Sequence, residues 1–356
     1  MIRSVITATG SHIPDTIIPN EAFLSTQFFT PESVAIPKEQ VALLTQFKAI
    51  TGIQQRRYAH ADQLASDLGL LVASQALTSA GVDPETLDYL IVAHNFGDVA
   101  QGSNRVDLVP SLASRIKARL AIKTPNCVAY DLAFGCPGWL EGLIQANYYI
   151  RSGDARRCLV IGTETLSRVI DPADRDSLLF SDGSGAVILE AQSNGSIGLL
   201  AHHTQTHAHQ HVDFLKMGKS YGPVGADSAD LFLKMNGRKV YEFALQHVPL
   251  VIKQALDKAG MTLGDVKQVL MHQANEKMNI AILERLFQLY GQAEPRLSLM
   301  PMTISWLGNS SVATLPTLLD LLQRGQLVNH RLAAGDTIVL ASVGAGMNIN
   351  AVVYQY

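Results

Sequence analysis

Cys136 stands in the segment DLAFGCPGWLEG (residues 131–142), between Gly135 and Pro137, where an apolar run gives way to a helix-spaced one. A thiol there is either a small hydrophobe under a tight turn or a nucleophile at a helix N-terminus. At such an end, unpaired N–H groups and the helix dipole make a thiol easier to ionise. Gly135 and Gly138 permit a sharp turn and close approach of a substrate. A cysteine nucleophile also needs a proton-handling partner and donors for a developing oxyanion. Among eleven histidines, His272 stands out because it ends a strand-like run in VLMHQANEKM, and strand ends in α/β folds build sites. Asn309, on a Gly-Asn turn in SWLGNSSVATLP, is a third candidate; alone it reads as a turn residue or helix cap. Cys127, mid-strand, and Cys158, at a strand start, read as core.

These residues must be held by alternating strands and helices. Pro137 suits a first helical position; Leu140, Leu143, Ile144, Asn147 and Tyr148 follow at helical spacing, and Gly153 closes the element. Strand-like runs are SVITATG, LDYLIVAHNF, NCVAYDLAF, ARRCLVIGTETL and GSGAVILE, with a helical stretch ASDLGLLVASQALTSAG among them. The second half reads helix (VYEFALQHVPLVIKQALDKAG), strand (VKQVLMHQAN), helix (NEKMNIAILERLFQLYG), then strand, glycine turn and strand in DTIVLASVGAGMNINAVVYQY. Such alternation predicts an α/β protein with helices covering mixed or parallel sheets. The polar, turn-rich EAQSNGS near Glu190–Ser196 is the expected junction, giving halves 1–192 and 193–356; no residue-level repeat relates them. Residues 201–230 lack periodicity and read as a loop or lid.

With 356 residues, 47% hydrophobic and 17% charged, the chain has room for a large core and is not disordered. A net charge of −3 and no long basic run exclude nucleic acid as an obligate partner. No apolar stretch approaches a membrane span, no export signal is visible, and three cysteines are too few for a disulfide scaffold. A cytoplasmic protein is expected.

Taken together, TGIQQRRYA (51–59), DLAFGCPGWLEG, DPADRDSLLFSDGSGAVILE (171–190), HQAN (272–275), GNSSVATLP (308–316) and GAG (344–346) resemble the β-ketoacyl-acyl carrier protein synthase III family of the thiolase superfamily, over nearly the whole chain. The resemblance implies a five-layered αβαβα sandwich of two similar halves, with the cysteine at the buried N-terminus of a central helix. It implies a Cys-His-Asn triad at Cys136, His272 and Asn309. The cysteine takes an acyl group from a thioester; His and Asn hydrogen-bond a malonyl thioester carbonyl as carbon dioxide leaves, and the enolate attacks the acyl-cysteine. Decarboxylation builds charge on oxygen, which neutral imidazole and amide donors suit. The acyl-enzyme carbonyl would be held by the backbone N–H groups of Cys136 and Ala345.

The resemblance further implies no metal and no permanently bound cofactor, acyl and malonyl thioesters of acyl carrier protein or coenzyme A as substrates, acyl carrier protein as partner, and a homodimer. In that dimer, a neighbour's residue from about Val106–Ser111 borders the acyl pocket. Arg175 matches a family arginine at the cofactor mouth, while Asn275 and Lys277 fall where the carrier docks. Gln46 and Ile50 replace the Trp and Arg that sandwich adenine in well-known members, which favours acyl groups arriving on a carrier protein. Pro137 replaces the family's usual Ser or Ala. Trp139, Phe134, Val343 and Met347 are candidate pocket walls.

Two other readings compete: transfer of the acyl group to water, an alcohol or an amine, and an inactive partner subunit of a condensing heterodimer. The intact His-Asn pair argues against the first, and the retained triad against the second. The His-rich AHHTQTHAHQH (201–211) matches no familiar zinc spacing and reads as a solvent-exposed loop. FSDGSGAVIL lacks the Lys-Ser/Thr ending of a phosphate loop.

Overall fold

The computed structural model describes residues 2–193, 195–223 and 229–356. Its first stretch carries strands β1 (Ile2–His12), β2 (Thr16–Pro19), β3 (Gln55–Tyr58), β4 (Tyr89–Ala93), β5 (Val128–Leu132), β6 (Arg157–Thr165) and β7 (Asp182–Ser193). The remainder carries β8 (Gly198–Thr206), β9 (Leu215–Gly218), β10 (Phe232–Met235), β11 (Val266–Met271), β12 (Thr337–Gly344) and β13 (Asn348–Gln355). One sheet runs β1-β7-β6-β4-β5 and the other β8-β13-β12-β11, while β2 with β3 and β9 with β10 form small pairs. The two main sheets share a pattern of two antiparallel pairings followed by a parallel one. The similarity therefore lies in topology, where side-chain identity hides it.

The longer helices are α1 (Gln40–Thr51), α2 (Ala65–Ala80), α3 (Leu112–Arg119), α4 (Gly138–Ser152), α5 (Gly237–Ala259), α6 (Glu276–Gln288) and α7 (Thr314–Gln323). Helices α2 and α3 cover the outer face of the first sheet, and α5 covers the second with α6 against it. Helices α4 and α7 lie between the sheets and touch strands of both. This is the five-layered αβαβα sandwich.

A helix in the middle layer must be apolar all round. Every residue of α7 from Thr314 to Leu322 is buried, and its one charged member is paired: Asp320 accepts from the Thr9 and Ser11 hydroxyls, each at 2.6 Å. In α4, Trp139, Leu140, Leu143, Ile144 and Ile150 pack with Leu315, Leu318 and Leu319 of α7. Strand β6 is covered on both faces, so it reads as one apolar run instead of an alternation. Each such buried side chain contributes roughly 1.5–3 kcal/mol through burial.

Several expectations change. Helix α4 begins at Gly138, with Pro137 as its N-cap and Cys136 one residue earlier. Tyr148 is exposed, whereas its helix-mates in the spacing are buried. Cys127 precedes β5 instead of lying within a strand, yet it is buried, as is Cys158. Strand β7 runs to Ser193, so Glu190–Ser193 continue the sheet. The His-rich segment is no exposed loop: His202 and His203 belong to β8, paired with β13, and Ala208–His211 form a helical turn. This strand lies at the sheet edge and none of its residues after Leu199 is fully buried, so His, Thr and Gln occupy both faces and neither an apolar run nor an alternation results. Much of 201–230 is likewise ordered, and 224–228 lie outside the described residues. No helix among the described residues is long and apolar enough to cross a membrane.

Arg56 of β3 supports the site from below. It is buried, with its guanidinium donating to the Leu178 and Ile18 carbonyls and to Asn20 Oδ1 at 2.6 Å. A β-carbon at Gly308, just before Asn309, would come within 3.0 Å of the Arg56 β-carbon. Arg56→Ala leaves these acceptors unsatisfied and opens a void, so it should cost about 3 kcal/mol or more in urea unfolding. A change below about 1 kcal/mol would contradict this role.

Candidate active site

Cys136 is fixed between a turn and the end of β12. Gly135 takes a left-handed conformation (φ 66°), and the N–H of Gly138 donates to its carbonyl at 2.9 Å. The turn 344–347 lies directly against it: a β-carbon on Gly135 would sit 2.7 Å from both the nitrogen and the oxygen of Ala345. Polar ties hold the two segments together. The Asn348 amide donates to the carbonyls of Phe134 (3.3 Å) and Ala345 (3.0 Å), and the Asn350 amide to the Pro137 carbonyl (3.1 Å). The backbone around Cys136 and Ala345, expected to hold an oxyanion, thus forms one tight assembly.

Asn309 reaches Cys136 through Ser311. The Ser311 hydroxyl lies 3.4 Å from Cys136 Sγ, and its backbone N–H donates to Asn309 Oδ1 at 2.9 Å. Asn309 is clamped to the segment before β7: its N–H donates to the Leu179 carbonyl and its carbonyl accepts from Ser181 N–H. With Oδ1 occupied, the carboxamide orientation is set and its NH₂ is left to donate.

His272 follows β11, its N–H donating to the Ala341 carbonyl of β12. Gln273 joins this strand end to the segment carrying Asn309, accepting at Oε1 from the N–H groups of Thr303 (2.9 Å) and Ile304 (3.3 Å). The His272 ring is buried, and its Nδ1 has no partner among the described residues. It borders a small cavity with Val343 and Met278. Met278 and Asn309 also line a cleft of about 380 Å³, together with Gln46, Ile50, Arg175 and Asn275. Asn275 caps α6, accepting from Met278 N–H; Lys277 is exposed. Trp139 and Met347 point into the packed cores and line neither cavity. Phe134 is half-buried.

The electrostatics correct one expectation. Burial pushes the Cys136 thiol up to about 11, with Ser311 opposing and the Glu164 charge adding to the rise. The resting sulfur is protonated, because desolvation outweighs the helix end. Burial holds His272 down at about 4, so its ring is neutral at neutral pH. A linkage follows. Unfolded, this histidine takes up a proton near pH 6.5, while the folded one resists until about 4. Stability is therefore full above pH 6.5 and falls as pH drops toward 4, by up to about 3 kcal/mol. Urea titrations of the wild type and His272→Gln should differ in slope within that window and run parallel above it.

Sequence reasoning missed Ser311, Glu164 and Asn95. Ser311 sits inside GNSSVATLP, and Glu164 is an acidic residue at the end of a continuous apolar strand, itself a signal. Among the described residues, no group of three or more His, Cys, Asp or Glu could hold a metal.

A two-sheet sandwich with a half-buried thiol at the mouth of its central helix defines the thiolase-like class of condensing enzymes. Family models for 3-oxoacyl-[acyl-carrier-protein (ACP)] synthase III match residues 130–208, and for its C-terminal part residues 256–356. A β-ketoacyl-[acyl-carrier-protein] synthase III of Cereibacter sphaeroides is 32% identical over 100% of this chain and 99% of the relative. One from a Synechococcus strain is 34% identical over 86% of each. The crystal structure of 3-oxoacyl-(acyl carrier protein) synthase III from Pseudomonas aeruginosa PAO1 superposes with a TM-score of 0.80 at 28% identity, covering 99% of this chain and 98% of that one. The chain belongs to the β-ketoacyl-acyl carrier protein synthase III family.

Proposed function

We propose that this chain is a condensing enzyme that joins an acyl thioester, held on Cys136, to a malonyl-carrier thioester with loss of carbon dioxide, giving a β-ketoacyl product in fatty-acid initiation or a related lipid pathway. The observation that carries the reading is the link from Cys136 Sγ through Ser311 to Asn309, which brings a thiol and an oriented amide donor to one place. Attack by sulfur on the acyl carbonyl develops an oxyanion beside the backbone N–H groups of Cys136 and Ala345. Neutral His272 and Asn309 then donate to the malonyl thioester oxygen as the enolate forms. The work is done by side chains, backbone amides and the thioesters themselves.

Acyl carrier protein is the favoured donor and partner. Gln46 and Ile50 line the cleft where an adenine sandwich would need an aromatic ring and a guanidinium, while Lys38, Arg175 and Arg238 supply cations suited to a phosphate. We further read 1–192 and 193–356 as the two halves, the cytoplasm as the location, and the loop bearing exposed Val109 as the contact with a second copy. Intact-mass measurement after matched acyl-coenzyme A and acyl-carrier donors, with carbon dioxide release from malonyl carrier, tests the whole scheme. Acylation on Cys136 plus release supports condensation; acylation without release points to another acceptor. Faster acylation from coenzyme A would overturn the donor assignment.

A further inference from the structure

Glu164 is a buried carboxyl, 1% exposed, at the end of β6, and none of the ion pairs found among the described residues includes it. Asn95 holds it from both sides, donating its backbone N–H to Oε1 (3.1 Å) and its side-chain amide to Oε2 (2.7 Å). The same amide donates to Ser311 Oγ at 3.1 Å. The Ser311 proton faces Cys136 Sγ at 3.4 Å, and the Asn95 amide nitrogen that Ser311 Oγ shares with Glu164 Oε2 sets the carboxyl beside the hydroxyl. Thiol, hydroxyl and carboxyl thus stand in that order, the last two on one Asn95 amide.

The titratable groups around Glu164 are His94 at the end of β4, Asp182 one register step away on β7, and Cys136 ahead of α4. His94 accepts from Gly97 N–H at Nδ1 and faces Asp131 with Nε2, so its proton is committed there. Asp182 is committed to Ser167 and the Ala59 N–H. Cys136 is the remaining partner for a shared proton. Burial pushes the Glu164 carboxyl above its ordinary range, and each of the two groups, when charged, opposes ionisation of the other.

We propose that the proton leaving Cys136 on acylation passes through the Ser311 hydroxyl to the Glu164 carboxylate and returns from there to the departing thiol. This step rests on the acyl-Cys136 reading above. The S–H bond breaks as its proton moves to Ser311 Oγ, while the hydroxyl proton moves to a Glu164 oxygen. The sulfur lone pair forms the new C–S bond. Collapse of the tetrahedral intermediate breaks the donor's C–S bond, and the leaving thiolate takes the proton back along the same path. Glu164 ends as it began, a carboxylate. Ser311 touches the reacting sulfur; Glu164 acts through it, as a positioning residue that stores the proton.

The test is single-turnover acylation by octanoyl-carrier protein, followed by intact mass across a pH series, for the wild type, Glu164→Gln, Glu164→Asp, Ser311→Ala and the Gln/Ala double variant. Glu164→Gln and Ser311→Ala should each slow acylation roughly 10²-fold, and the double variant should be no slower than either. The wild-type acid limb should vanish in Glu164→Gln and persist, shifted, in Glu164→Asp. Wild-type speed with an unchanged acid limb in Glu164→Gln, or penalties that multiply in the double variant, would overturn the relay. A wild-type chain that never acylates would instead sink the acyl-Cys136 reading. Iodoacetamide alkylation then still tests the relay, since its acid limb should be lost in Glu164→Gln.

Discussion

His272→Ala and Asn309→Ala should each lower carbon dioxide release from malonyl carrier by roughly 10²–10³-fold, while Cys136 still takes an acyl group. The expectation rests on what each side chain offers. Burial keeps the His272 ring neutral at neutral pH, so it meets a developing oxyanion as a dipole without first losing a proton. Asn309 has its carbonyl oxygen fixed by Ser311 N–H, which commits its NH₂ to the cleft side. Neither group is assigned a part in the acylation step, whose oxyanion goes to backbone N–H groups. Gln273→Ala should reproduce part of the loss, because it releases the 303–304 segment that steers Asn309. Isotope-labelled malonyl carrier and intact mass read the two steps separately. If both variants lost acylation and release in equal measure, the division of labour would be wrong.

The legible parts of this chain were those where one residue type has few uses. A cysteine between glycine and proline at a strand-to-helix change, a histidine at a strand end and a Gly-Asn turn could be picked out singly. Their meeting depends on Ser311 and Gln273, whose types are common and whose value comes from which backbone groups they reach. Glu164 was overlooked for a different reason: β6 reads as an ordinary buried run, and an acid at its end resembles a surface residue until Asn95 and the segment carrying Ser311 are placed over it. The His-rich strand β8 failed as a pattern because after Leu199 neither of its faces is fully buried, so neither has to be apolar. The charge state of Cys136 also could not be read locally, since it is set by how much protein surrounds the sulfur.

The same closeness of packing makes Gly344→Ala a damaging change at the site. Gly344 has extended backbone (φ −170°) that any residue can adopt, so the objection is one of space alone. An added β-carbon would lie 2.5 Å from the Cys136 nitrogen, 2.8 Å from Pro137 Cδ and 2.9 Å from the Cys136 β-carbon. None of these atoms is the free end of a flexible side chain, so the 344–347 turn must retreat from the cysteine. A retreat of even a few tenths of an ångström loosens the Asn348 ties and separates the Cys136 and Ala345 N–H groups from a shared oxyanion position. Acylation should fall about 10²-fold or more, with a stability loss of about 1–3 kcal/mol from overpacking. Ala345→Gly is the control: it keeps the backbone N–H and removes a methyl, so acylation should stay within about threefold of wild type. Near-normal acylation in Gly344→Ala would mean that the turn can move without consequence, and the Ala345 N–H would no longer qualify as an oxyanion donor.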